Sequence, residues 1–126
     1  DLASVDLSYL SLRKGVPAFA QVMGYRGELL CLVKPLFETE DMEARRTGVL
    51  SPEQYLPTLR GLIRDLNAQP DTSVRQVTCS PVTGNNGTHE FFLHVALGIA
   101  EPPPDLDADC ARAVERVLAL VPYHKR

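Results

Sequence analysis

Three residues far apart in the sequence, Asp6, Lys34 and Glu90, each open or close a strand-like run, and together they supply the parts of a proton-transfer site. A lysine between two carboxylates is held protonated, because opposite charge favours its charged form. Burial or a second cation reverses that balance and makes the amine a base. Such a base can take the proton of a hydroxyl that the carboxylates orient. The same trio also describes an ordinary ion pair at the rim of a sheet. Topology alone favours that plainer explanation.

Element order brings the three together. Residues 2–7 read as a short buried strand that Asp6 closes. Residues 12–23 place Leu12, Val16, Phe19, Ala20 and Met23 at helical spacing, with Ser11 as cap, Pro17 inside and Gly24 just beyond the end. Residues 28–33 form an almost continuous apolar run, as expected of a strand covered on both faces. Lys34-Pro35 stops it, since proline cannot continue a central ladder. Residues 37–48 are charged and unpatterned and read as a loop. Ser51-Pro52-Glu53-Gln54 reads as a capping box that opens a helix with Tyr55, Leu56, Leu59, Leu62, Ile63 and Leu66 on one face. Residues 74–82 and 89–97 read as strands around a turn at residues 83–88.

Alternation of strands and helices predicts an α/β fold with parallel crossovers, ending in an antiparallel hairpin. Ligands in such sheets sit beyond the carboxyl ends of the parallel strands. Asp6, Lys34 and, through the hairpin, Glu90 all reach that edge. Residues 99–104 are a proline-rich linker, and residues 105–126 carry a helix with Leu106, Cys110, Val114, Val117 and Val121 on one side.

Composition narrows the function classes. A net charge of −3 over 126 residues argues against a domain that grips RNA by itself. The sequence has no apolar run of membrane-spanning length. Cys31, Cys79 and Cys110 fit neither zinc nor redox spacing, and they point to buried free thiols in a cytoplasmic protein. His94 and His124 have no partners at metal-ligand spacing, so no metal site is expected. His89 sits beside Glu90, but alternation turns it to the opposite face.

The motifs resemble a known family. Asp6-Leu7-Ser8-Tyr9-Leu10-Ser11-Leu12 is similar to the Asp-Val-Ser-Phe-Ile-Ser-Leu motif of TlyA (hemolysin A), FtsJ-like methyltransferases. Val33-Lys34-Pro35-Leu36-Phe37-Glu38 is similar to their Ile/Val-Lys-Pro-Gln-Phe-Glu motif. Ser80-Pro81-Val82-Thr83-Gly84 with Gly87-Thr88-His89-Glu90-Phe91 is similar to their Ser-Pro-Ile-x-Gly…Gly-Asn-x-Glu-Phe/Tyr segment. The resemblance covers residues 1–98.

It implies a partial Rossmann-like, three-layer methyltransferase fold with its strands in the order first, second, fourth, third. It also implies an S-adenosylmethionine-dependent RNA 2′-O-ribose methyltransferase, with ribosomal RNA as substrate. By motif position Asp6, Lys34 and Glu90 belong to the family's Lys-Asp-Lys-Glu tetrad. Lys34 is then the base, Glu90 its orienting group, and Asp6, with Ser8, lies near the donor. Arg45-Arg46-Thr47-Gly48 stands where the family has Gly-Lys-Gly-Gly, and Arg45 and Arg46 are the candidate phosphate contacts. Leu36 replaces the family's Gln and Thr88 its Asn.

The family's donor-binding first strands have no counterpart here, so the chain is expected to be a fragment that is inactive alone. The alternative is a catalytically dead half-fold that serves as a binding or assembly module. The exposed edge of the first strand is expected to promote self-association or to be covered by the last helix.

Overall fold

The register of the sheet determines where each candidate side chain emerges. The computed structural model describes the backbone of residues 2–5 and all of residues 11–80 and 89–119. In chain order the elements are β1 (Leu2–Val5), α1 (Leu12–Val22), β2 (Gly27–Val33), α2 (Pro35–Glu38), α3 (Met42–Thr47), a 3-10 turn (Pro52–Gln54), α4 (Tyr55–Asn67), β3 (Thr72–Cys79), β4 (Phe91–Leu97) and α5 (Asp107–Ala119). The strands form one sheet in the order β1-β2-β4-β3, the order expected. β1 runs parallel to β2, whereas β4 is antiparallel to both of its neighbours, β2 and β3. The fold is mixed α/β.

Burial alternates along the strands. Leu29, Cys31 and Val33 of β2 meet Val95, Leu93 and Phe91 of β4 on one face, and all six are buried. Helix α1 adds Leu12, Val16 and Ala20 to the same core. Helix α4 adds Leu59, Leu62, Ile63 and Leu66, and α5 adds Cys110, Ala113, Val114 and Val117. Helices α1, α4 and α5 each turn one apolar stripe at 3–4-residue spacing to this core.

The other face differs from expectation. Leu30 is 39% exposed, Glu28, Gln76 and Thr78 are exposed, and Leu32, Phe92 and His94 are half-buried. The described residues therefore make two layers, not three. The apolar run of β2 suggested cover on both faces, but a run of leucines does not reveal which face its own helices occupy.

Other local expectations also need correction. Residues 37–48 are not a loop. Pro35–Glu38 is helical, and Asp41 caps α3 by accepting from the amides of Glu43 at 3.0 Å and Ala44 at 3.4 Å. Gly48 ends α3 at φ +75°, a conformation glycine adopts at little cost. Only Ala44 of α3 is buried, so no apolar periodicity announced the helix. Ser51 makes no side-chain cap; its carbonyl accepts from Gln54 N at 2.9 Å in the 3-10 turn, and α4 starts at Tyr55. Helix α5 does not cover β1. It packs on β3 and α4, at the far side of the sheet.

Two backbone positions are held by unusual partners. Pro17 has no N–H to give Arg13 O, its partner one turn earlier in α1. Gln69 supplies the missing donor, with Nε2 3.0 Å from that carbonyl. Gly98 has φ +75°, and a Cβ there would lie 2.5 Å from Tyr25 O. Its amide donates to Asp71 O at 2.8 Å, so this close approach ties the end of β4 to two turns.

Candidate active site

The β2–β4 ladder ends with Val33 opposite Phe91. The next residues outward are Lys34 and Glu90, which therefore occupy facing positions at the carboxyl end of β2. Lys34 keeps an extended backbone, at φ −108° and ψ 102°, and is the N-cap residue of α2. Buried Pro35 follows at the first helical position, where its missing N–H costs nothing. On the other side Glu90 O accepts from Ser80 N at 2.9 Å, extending the β3–β4 pairing by one step. Lys34, Glu90 and Ser80 thus stand in one row across three strands, with neighbouring strands about 4.8 Å apart. Opposite residues of a ladder point to one face, and Lys34 and Glu90 each adjoin a core-facing residue, Val33 and Phe91, at the end of that ladder.

β1 delivers its chain to the same edge, because it runs parallel to β2 with Val5 level with Cys31. Asp6 and Ser8 follow directly but lie outside the described residues.

His89 is half-buried, and its ring meets Tyr55 edge-on at 5.7 Å and 81°. Tyr55 packs edge-on against Phe91 as well, at 6.3 Å. Burial lowers the His89 pKa, and its Nδ1 is buried without a hydrogen-bond partner. The His89 ring therefore packs through Tyr55 on the Phe91 side of the sheet, the opposite face from Glu90 by alternation.

A carboxylate that the loop assignment passed over lies one turn from Lys34. Glu38 is 2% exposed. It accepts from Ser11 Oγ at 2.5 Å, from Leu12 N at 2.8 Å and from Arg13 Nη1 at 3.2 Å. Arg13 also donates from Nη1 to Glu38 O at 2.9 Å and from Nε to Asp65 of α4 at 2.7 Å. Burying a carboxylate is costly unless it is paired and hydrogen-bonded, and here three donors, one of them a cation, offset that cost. Ser11 both donates to Glu38 and accepts from Arg13 N at 3.1 Å, capping α1. The signal available in the sequence was Glu38 itself, an acidic residue closing the apolar run Pro35-Leu36-Phe37.

Arg45 and Arg46 occupy the last turn of α3, where cations suit the carbonyl end of a helix. Arg45 Nε donates to Thr39 O at 2.9 Å, and exposed Arg46 pairs with Glu43 one turn back. The three cysteines are free. Burial pushes the Cys31 thiol up to about 12, with Glu38 adding to the effect, and the Cys110 thiol up to about 11. Both stay protonated and are poor nucleophiles. Among the described residues no group of three or more His, Cys, Asp or Glu could hold a metal ion, and no helix is long and apolar enough to cross a membrane.

No family model matches the chain. It is 28% identical over 96 residues to the Bacillus subtilis (strain 168) protein named "Putative rRNA methyltransferase YqxC". The match spans 75% of this chain but 34% of that protein. Two solved structures share the fold. "The crystal structure of a putative hemolysin from Lactococcus lactis" superposes with a TM-score of 0.76 at 24% identity, covering 91% of this chain and 54% of that one. "Putative hemolysin from Streptococcus thermophilus" superposes with a TM-score of 0.75 at 26% identity, covering 93% of this chain and 42% of that one. The chain therefore spans about a third of the bacillar relative and about half of the two structures.

Proposed function

We propose that this chain is the C-terminal half of the catalytic domain of a TlyA, FtsJ-like RNA 2′-O-ribose methyltransferase that acts on ribosomal RNA in the cytoplasm. The facing positions of Lys34 and Glu90 at the carboxyl end of β2 carry the proposal. The similarity to a protein named as an rRNA methyltransferase supports the substrate class.

In this reading Lys34 accepts the proton of a ribose 2′-hydroxyl as the general base, and Glu90 orients it toward that oxygen. Asp6 and Ser8 act near the donor, and Arg45 and Arg46 contact phosphates beside the target. S-adenosylmethionine would supply the methyl group. Asp6 and Ser8, the residues assigned to it, lie outside the described residues, and the family's other donor-binding strands have no counterpart in this sequence. Donor binding is therefore assigned to the part of a full-length protein beyond this chain.

Calorimetry with S-adenosylmethionine tests this division. Binding by the full-length protein and none by the 126-residue chain is the expected result. Binding by neither would favour the other reading, a catalytically dead half-fold that serves in binding or assembly.

A further inference from the structure

We infer that Glu38 is a positioning residue for Lys34, an inference that rests on the reading of Lys34 as the base. Lys34 and Glu38 bracket α2, a single turn about 6 Å long at 1.5 Å per residue. The turn is fastened at both ends. At one end Val33, opposite Phe91 on the last rung of the β2–β4 ladder, leads directly into Lys34. Glu38 closes the other end by accepting from Ser11 Oγ, Leu12 N and Arg13 Nη1, all at the amino end of α1.

A buried carboxylate is an unusual way to fasten a turn. An apolar residue would fill the space, but it would set no direction and would leave the Leu12 amide unpaired. Glu38 instead reads two features of α1 at once, a backbone amide and the cap hydroxyl. Arg13 then holds the carboxylate from a third side while binding Asp65 of α4. α2 can neither slide nor rotate without breaking bonds to α1. The backbone of Lys34 is thereby fixed relative to Ser11 and Leu12 at the start of α1. The network joins the Lys-Pro-x-Phe-Glu motif to the Ser-Leu end of the Asp-x-Ser motif, which explains why both motifs extend beyond the residues assigned to chemistry.

The test uses the full-length protein with tritiated S-adenosylmethionine and ribosomal RNA. Glu38→Gln keeps the shape but turns one acceptor into a donor facing donors. It is expected to lower kcat roughly 10- to 100-fold, the effect of displacing a catalytic group by about 1 Å. The KM values for RNA and donor should stay within about twofold, since the uniform binding contacts remain. Ser11→Ala removes one bond of the three and keeps the testing possible if Glu38→Gln does not fold; a several-fold loss of kcat at constant KM is expected. Exposed Glu40→Gln is the control and should match wild type. Folded Glu38→Gln or, failing that, folded Ser11→Ala with wild-type kcat would overturn the positioning role, as would a loss confined to KM. Wild-type kcat in Lys34→Ala would overturn the base assignment instead, so the two failures are distinct.

Discussion

Gln69 stands in for the amide that Pro17 lacks, and a double-mutant cycle between the two isolates that substitution. In wild type, Gln69→Ala deletes the hydrogen bond to Arg13 O at 3.0 Å. A half-buried carbonyl left without its donor costs about 1–3 kcal/mol. Removing Gln69 also removes its Oε1, which is buried without a partner. That relief lowers the net cost to about 1 kcal/mol. Pro17→Ala restores a backbone N–H in register with Arg13 O and relieves a ring that opposes helix geometry. It should be stabilising by about 1 kcal/mol or more, less than the full interior-proline penalty because the unfolded chain also gains freedom. In the Pro17→Ala background the carbonyl has its ordinary helical donor, so Gln69→Ala should cost close to nothing. The expected coupling is about 1 kcal/mol. Urea unfolding of the four chains measures it, provided the m-values agree. Equal costs of Gln69→Ala in both backgrounds would refute the reasoning.

Gly98→Ala should destabilise the chain by about 2–4 kcal/mol, because it combines a positive φ with a backbone contact too short to relax; urea unfolding within 0.5 kcal/mol of wild type, about the noise of a surface substitution, would contradict the geometry. The Arg13 hydrogen bond holds the Asp65 carboxyl below the usual carboxylate range. Its stabilising contribution is present above the unfolded value, near about 3.9, and is lost as pH falls through the lower folded value. Asp65 is 38% exposed, so screening leaves about a few tenths of a kcal/mol; wild type should lose that much more than Asp65→Asn on acidification, and parallel curves would count against the pair. Because β1 ends the sheet and α5 lies at its other side, the isolated chain should self-associate in sedimentation equilibrium; a monomer at high concentration would contradict this.

The long, periodic elements were legible in the sequence. The stripe of Leu59, Leu62, Ile63 and Leu66 announced α4, and Lys34-Pro35 marked the end of β2 because proline cannot enter a ladder. The strand order came from the family resemblance, and the sheet has it. Helix α3 was missed because its evidence lies in its ends. Asp41 caps it, Glu43 and the two arginines sit at the ends that suit their charges, and Gly48 stops it, but a helix with one buried residue has no stripe. The open face of the sheet was missed for the opposite reason, since Leu30 and Leu32 look like core residues. Lys34 and Glu90 could be paired from topology, and Glu38 stood out as an acidic residue closing an apolar run, but its partners could not be read from the sequence. Its role depends on where α1 begins in space, and no local pattern encodes a contact across 27 residues between Ser11 and Glu38.

Methyl transfer to ribosomal RNA by the full-length protein, compared with its Lys34→Ala variant under saturating donor and RNA, tests the central claim most directly. The expected result is loss of 2′-O-methylation by at least about 100-fold, the scale of a lost general base, with RNA and donor binding retained. Wild-type methylation by Lys34→Ala, or methylation on a base rather than a ribose, would contradict it.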